Sequence, residues 1–445
     1  MCRRNAILGW APARVTPSLL ATSLVLWSAS AVSAQSFAIR QVRVFDGNQS
    51  QPGMTVVVRD GIIASVQTDT AIPPDIQVID GTGLTLLPGL FDSHGHLGDN
   101  ALTQALAFGV TTVLNMFSAP EGDAERRAEQ RKGLANGRAD LLSAGLLVTA
   151  PGGHGTQYGI PIPTITRPEE AAAAVDTRLA QGSDYIKIIY SGDWCKGCSS
   201  IDAATMRAVI EETHARGRKA VVHVEAFEDG RAAIQAGADG IAHLFADRVA
   251  DADFLALIAE RKSFVVTTLT PVAAMGGRRD DGALAAHPSF FQYLSGQDIK
   301  NLILYLPTGN PRFQFESAAA SLRMLAERRI PILAGSDASS SGKPSGASMH
   351  RELELMVVAG LSPTAALQAA TSVPAAVFGL PDRGRIAPGL RADLLLVEGD
   401  PTTDILATRN LVRIWKNGVQ FDRAAYRKAL LQEERELQNI RRERR

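Results

Sequence analysis

His94 and His96 stand one residue apart at the end of the apolar run Leu86 to Asp92. On a strand, side chains two apart point to the same side, so both imidazoles can reach one ion. An H-x-H pair by itself is a weak signal, since two polar loop histidines look the same. Its weight comes from further candidates that sit at or beyond the ends of later apolar runs. Lys187 lies within Tyr185 to Ile189, His223 within Ala220 to Val224, and His243 within Gly240 to Leu244; Asp337 follows Pro331 to Leu333. Lysine is expensive in a run as apolar as Tyr-Ile-Lys-Ile-Ile. Its plain alternative to chemistry is a buried ion pair with an acid such as Asp184.

Those runs read as strands, joined by Val110 to Leu114, Leu141 to Val148 and Phe264 to Leu269. Ala-rich helical stretches lie between several of them, among them Glu169 to Leu179, Ala203 to Arg216 and Arg231 to Ala236. Eight strands alternating with helices predict an α/β fold, a (β/α)8 TIM barrel, over residues 86–383. Barrel active sites form at the C-terminal ends of the strands, which gathers all six residues on one face. Both chain ends are different in kind. Phe37 to Val44, Met54 to Val58 and Gly61 to Val66 are short strand-like pieces, with Asp60-Gly61 as a hairpin turn. Ala392 to Val397, Leu411 to Trp415 and the turn Asn417-Gly418 repeat the pattern near the C-terminus. The expectation is one small β-sandwich domain built from residues 35–85 and 384–422. Pro271 to Glu316 reads as an insertion covering the barrel mouth, and residues 423–445 as a charged, solvated C-terminal helix.

The chain has 445 residues, 45% of them hydrophobic, enough for a large core. Lys+Arg and Asp+Glu both number 46, so the formal net charge is zero and nothing steers the chain toward nucleic acid. A small, uncharged or zwitterionic substrate suits that balance, and a homo-oligomer is left open. Arg3, Arg4 and Arg14, the apolar run Leu19 to Trp27, and small residues at Val32 and Ala34 make residues 1–34 a signal peptide. Cleavage would leave Gln35 first, with no stable membrane anchor, in a bacterial periplasmic or secreted protein. A retained signal anchor is the alternative, and Sec and twin-arginine export both stay open. In such a compartment Cys195 and Cys198 read as a loop-closing disulfide, ahead of a metal or redox role.

The run Leu86-Leu-Pro-Gly-Leu-Phe-Asp-Ser-His-Gly-His closely resembles the opening motif of the amidohydrolase superfamily. Gly384-Arg-Ile-Ala-Pro-Gly-Leu-Arg-Ala-Asp-Leu resembles that family's return into its β domain. Met349-His-Arg-Glu-Leu-Glu-Leu and Ala369-Ala-Thr-Ser-Val-Pro-Ala resemble its imidazolonepropionase-related and prolidase-like dipeptidase branch. The resemblance implies two divalent metal ions. His94 and His96 would bind one, with Asp337, and His223 and His243 the second, with a carbamylated Lys187 bridging both. Nitrogen and carboxylate donors suit zinc best, with manganese or cobalt as substitutes. Two such ions lower the pKa of a bridging water toward about neutrality. Asp337 would take its proton and pass it to the leaving amine, and His154, in Pro151-Gly-Gly-His-Gly, would polarise the scissile carbonyl. Tyr190 and His350 are weaker candidates for substrate contact, while His214 and His287 read as surface or packing residues.

Departures from the resemblance narrow the reaction. Leu97-Gly-Asp-Asn follows H-x-H where dihydroorotase-like and imidazolonepropionase-like members carry an arginine. The deaminase branch places a glutamate three residues after its fifth-strand histidine; here that position is Ala226, with Glu225 one residue earlier. Val222 and Val224 flank His223 where prolidase-like relatives have a carboxylate-holding tyrosine, so Tyr190, Arg248 or the insertion would have to anchor a carboxylate. Hydrolysis of a peptide-like or cyclic amide leads. A lactone or ester hydrolase using the same site is the alternative, ahead of a mononuclear deaminase and a non-catalytic binding protein.

Overall fold

The computed structural model describes residues 35–68, 71–98, 100–133, 136–191, 199–278, 282–304, 309–338 and 343–443. Residues 1–34, where a signal peptide is expected, and Cys195 and Cys198 lie outside them. Five strands open the chain: β1 (Phe37–Phe45), β2 (Ser50–Arg59), β3 (Ile62–Gln67), β4 (Gln77–Asp80) and β5 (Leu84–Pro88). Eight follow in the middle: β6 (Leu90–His96), β7 (Val110–Phe117), β8 (Asp140–Ser143), β9 (Ile186–Ile189), β10 (Ala220–His223), β11 (Gly240–Ala242), β12 (Phe264–Val266) and β13 (Ile332–Leu333). Three more close it: β14 (Leu394–Glu398), β15 (Leu411–Lys416) and β16 (Val419–Gln420).

Both chain ends meet in one hydrogen-bonded sheet, in the order β16-β15-β14-β5-β1-β2-β3, with β4 beside β1. The two turns read from sequence are there. Asp60 and Gly61 have φ of 48° and 82°, and Asn417 and Gly418 have 52° and 73°, the positive pairs that a type I′ hairpin turn requires. The sheet curls on itself: Ile63 N donates to Leu390 O at 2.8 Å, bringing the β3 edge back to the segment before β14. The curl lets Trp415 of β15 stack on Phe37 of β1, centroids 4.9 Å apart, across two intervening strands. A second, facing sheet is not what joins the two termini; the antiparallel β5–β14 ladder is.

The middle strands pair in parallel as β6-β7-β8 and β9-β10-β11-β12-β13. As ladders they make sheets of three and five rather than one closed ring, but backbone bonds cross both seams. Val148 N donates to Lys187 O and Ile189 N to Val148 O, each at 2.9 Å. On the other side Ser93 N reaches Ala334 O at 2.9 Å and Asp337 N reaches His94 O at 2.7 Å. Helices such as Ala171–Ala180 and Ala203–Ala215 separate the strands, the latter capped by Asp202 accepting from Thr205 N. Among the described residues, no helix is long and apolar enough to cross a membrane.

Two expected strands and two expected placements change. The run Leu86 to Asp92 serves two sheets, because β5 ends its pairing with β14 at Pro88 and β6 begins at Leu90. Leu141 to Val148 is not one strand: β8 ends at Ser143, and Val148 bridges to Ile188 instead. The insertion's middle packs on the barrel flank: Phe290 is buried with its ring 4.9 Å from Phe108 and 4.8 Å from His350. The C-terminal helix Arg423–Glu443 docks there too, its first residue placing a guanidinium 3.8 Å over the Tyr293 ring. It is therefore solvated only beyond its first turns.

His350 belongs to this packing. Nδ1 meets Thr408 Oγ1 at 3.0 Å and Nε2 meets Phe108 O at 2.9 Å. Burial, with Arg409 adding its charge, holds its pKa down at about 3 although the Phe108 carbonyl favours the proton. The unfolded chain binds a proton near the ordinary histidine pKa of about 6.5, so this residue's contribution is complete above that pH and is lost as pH falls toward 3. His350→Gln should flatten the fall of unfolding free energy between pH 7 and 4.5, by up to about 1.4 kcal/mol per pH unit. Parallel wild-type and variant curves in urea titrations would refute the assignment.

Candidate active site

The C-terminal ends of the parallel strands gather the polar residues. β6 carries His94, fully buried, and His96, whose side chain is a quarter exposed. Asp337 follows β13 with φ of 55°, a left-handed conformation that costs an aspartate energy. Its Oδ1 lies 3.0 Å from His96 Nε2 and 3.6 Å from His94 Nε2. Two devices fix that turn against β6. A Cβ on Gly335 would lie 2.6 Å from His94 Cβ, so only glycine lets the chains pass this closely. Buried Asp92 accepts from His94 N at 3.1 Å and from Ser336 N at 2.9 Å, and its other oxygen takes the Ser336 hydroxyl. Burial pushes Asp92 up to about 7 against these donors.

His223 ends β10 and His243 follows β11. His243 Nε2 lies 3.1 Å from His223 Nδ1, and its Nδ1 meets Thr268 Oγ1 at 2.6 Å. Thr268 has φ of 46°, an outlier for a β-branched residue. The strain is held by Glu352, which accepts from Thr267 Oγ1 (2.6 Å), Leu269 N (2.8 Å), Thr270 N (2.8 Å) and Thr270 Oγ1 (2.7 Å). Lys187, in β9, is buried and its Nζ has no hydrogen-bond partner. Asp184 does not pair with it, being bound by Arg127 and by Ser143 N. Burial pulls the lysine down to about 7, with Asp337 opposing. His94, His223 and His243 are all held well below the usual histidine range, first by burial and then by Lys187 and the proximity of other histidines, since two adjacent groups cannot both take a proton. They are neutral imidazoles, the form that ligates a metal.

Of the remaining expected residues, His154 joins the group, its ring face to face with His223 at 4.7 Å. Tyr190 stands at the end of β9, its amide donating to His223 O at 3.2 Å and its ring packed on the barrel core. His350 does not join, since both ring nitrogens are engaged elsewhere. Arg248 lies outside, paired with Glu228 and Asp251 and lying over Phe227. His214 pairs with Asp239 and His287 packs on Phe290. The structure adds residues that sequence reasoning left without a role. Glu225 Oε1 is 3.5 Å from His223 Nε2, Lys343 Nζ is 4.0 Å from Asp337 Oδ2, and Tyr158 sets its ring edge-on to His154 at 5.8 Å. Only Glu225 had a signal, being two residues beyond His223 and so on the same side of an extended chain.

Residues 85–420 match the Amidohydrolase family, and the chain belongs to it. It is a metal-dependent hydrolase acting on carbon–nitrogen bonds. Imidazolonepropionase of Salinispora arenicola (strain CNS-205) is 24% identical over 383 residues, 77% of this chain and 85% of that one. Among solved structures, a Xaa-Pro dipeptidase with bound methionine has a TM-score of 0.69 at 23% identity, covering 87% of this chain and all of the other. Molinate hydrolase also has a TM-score of 0.69, at 20% identity, covering 88% of this chain and 96% of its own. These likenesses place the fold in the TIM-barrel type.

The residues present fit a divalent cation. One ligand atom each from His94, His96 and Asp337 lie within 4.8 Å of one another. Lys187 Nζ, among these residues, is buried without a hydrogen-bond partner, an arrangement that costs free energy until something binds it. Glu352→Ala should remove the anchor of Thr268 and with it the hold on His243. A loss of about 3 kcal/mol or more in unfolding free energy is expected, since several charge-assisted hydrogen bonds go at once. Weaker zinc retention on dialysis should accompany it; unchanged stability and retention would rule the anchor out.

Proposed function

We propose that the chain is exported and hydrolyses a peptide-like or cyclic amide at a two-metal centre. The observation that carries this reading is Lys187, a buried amine without a partner among neutral histidines. An ammonium would repel two dications, whereas addition of CO2 to the neutral amine gives a carbamate that can bridge them. Burial toward a pKa of about 7 leaves that neutral amine available at ordinary pH. His94, His96 and Asp337 would hold one ion, and His223 and His243 the other, with zinc the metal this donor set suits best. Bound there, the ions supply Lewis acidity and bring the pKa of water toward neutrality.

The chain's own residues do the rest. Asp337 is kept ionised despite its burial by the hydrogen bond from His96 and the charge of Lys343, so it can accept a proton from water. The same carboxyl then delivers that proton to the departing nitrogen. His154, at the rim beside His223, is placed to donate to the carbonyl oxygen as negative charge develops on it. The relatives' names, imidazolonepropionase and Xaa-Pro dipeptidase, accord with a C–N bond as the target. Export is supported by the basic, apolar and small-residue order of residues 1–34.

The purified chain should carry close to two divalent ions, and Lys187→Ala should lose at least one of them and at least about a hundredfold in kcat/KM on dipeptides, N-acyl amino acids or lactams (a loss of about 2.7 kcal/mol in transition-state stabilisation). Protein prepared in 13C-bicarbonate should show a carbamate resonance that K187A lacks. Full activity in K187A would sink the two-metal reading, and faster turnover of matched esters would move the substrate to that class. Separately, N-terminal sequencing of the protein from the periplasm or culture medium should begin at Gln35; an intact Met1 in the cytoplasm would overturn export.

A further inference from the structure

His223 offers its two ring nitrogens to different neighbours. Nδ1 lies 3.1 Å from His243 Nε2, on the side of the six-residue centre. Nε2 lies on the other side, 3.5 Å from Glu225 Oε1. That separation exceeds a good hydrogen bond, and Nε2 has no hydrogen-bond partner although the residue is only 6% exposed. His154 completes the surroundings. Its ring lies parallel to that of His223, 19° apart at 4.7 Å, so both imidazoles border the same space. One ligand atom each from His154, His223 and Glu225 lie within 4.8 Å of one another.

Two imidazoles and one carboxylate are the donor set of a three-ligand zinc site that leaves a coordination position open. An ion pair between His223 and Glu225 would account for the carboxylate alone. It would not account for the unpartnered Nε2 or for the second imidazole facing the same space. We propose that His154, His223 Nε2 and Glu225 form a further divalent-cation site at the rim of the active site. This goes beyond the two-metal reading: it shares His223 with that centre through the opposite nitrogen, and it does not need Lys187 to be carbamylated. A cation held there occupies His154, which the hydrolytic reading needs as a donor to the carbonyl. The site is therefore inhibitory, and it fills after the tighter centre because His154 and Glu225 lie nearer solvent.

The test is a zinc titration of the full chain by calorimetry, after stripping and reconstitution. Wild type should bind a tight class and then one weaker ion per chain. Glu225→Gln should keep the tight class and lose the weaker ion, or weaken it at least tenfold, while H96A should lose a tight ion and keep the weaker one. Excess zinc should slow wild type several-fold and E225Q little. Glu225→Asp, which keeps the charge with a shorter reach, should fall between them and serves if E225Q does not fold. The proposal is overturned if E225Q and E225D bind the same number of ions as wild type with the same affinities. It is equally overturned if wild type binds nothing beyond the ions removed by H96A and K187A. Failure of the two-metal reading would instead show in H96A and K187A, with the E225Q difference intact.

Discussion

Three buried nitrogens without hydrogen-bond partners, on His94, Lys187 and His223, set the constraint to which the rest of the site answers. Each unsatisfied group costs the fold on the order of 1–3 kcal/mol. A sequence free to minimise that cost would place isoleucine or valine there, as it does at the neighbouring positions Ile186, Ile188 and Val222. Keeping Lys187 Nζ and His223 Nε2 buried and unpaired is a penalty that binding can offset, because a neutral amine has a lone pair for CO2 and a neutral imidazole one for a Lewis acid. The low-dielectric surroundings that make the groups expensive also make them neutral.

Holding such groups apart demands support from elements distant in sequence. Asp92 and Ser336 lock the β6 end to the turn bearing Asp337, and Gly335 allows the close approach. Thr268, strained and tied down by Glu352, fixes one nitrogen of His243 and so directs the other inward. The opposite end of the strands shows the alternative treatment of buried charge. Asp140, at the start of β8, meets Arg383, Arg391 and Lys416, while Asp393 meets the last two. Every charge there has a counter-charge, and the cluster ties the barrel to the curled sheet. Paired charge at the N-terminal ends of the strands and unpaired ligands at the C-terminal ends match the division between stability and function in this architecture.

Much of this was legible. The H-x-H pair, the lysine inside an apolar strand and the late aspartate could be read because strand periodicity and strand-end position are local properties. The Asp-Gly and Asn-Gly turns were legible for the same reason, since positive φ selects few residue types. What escaped depends on contacts between remote segments. Nothing local shows that Val148 pairs with Ile188, that Phe290 folds down onto His350, or that both chain ends join through β5 and β14. His350 was misplaced because a histidine opening a barrel helix has the same local pattern whether it faces the mouth or the flank. Lys343 sits in a loop and Tyr158 ends a single 3-10 turn, Thr156–Tyr158, both too short for sequence to carry a period that aims a side chain.

Glu225 shows how one residue of register changes the chemistry. A glutamate three positions beyond a strand-end histidine points away from it if the chain stays extended, and reaches the site only where the chain turns. Two positions beyond, just past the end of β10, the glutamate falls on the same side as the imidazole, and its Oε1 lies 3.5 Å from His223 Nε2. The carboxylate of Glu225 therefore flanks His223, and the ammonium of Lys343 flanks Asp337. A chain of zero net charge has no long-range field to select a substrate by sign. Among the described residues, Glu225 and Lys343 set one charge of each sign beside the polar group. The buried polar residues beneath them suit a hydrolase of C–N bonds in general, and nothing in their neutral imidazoles and single carboxylate distinguishes one such bond from another.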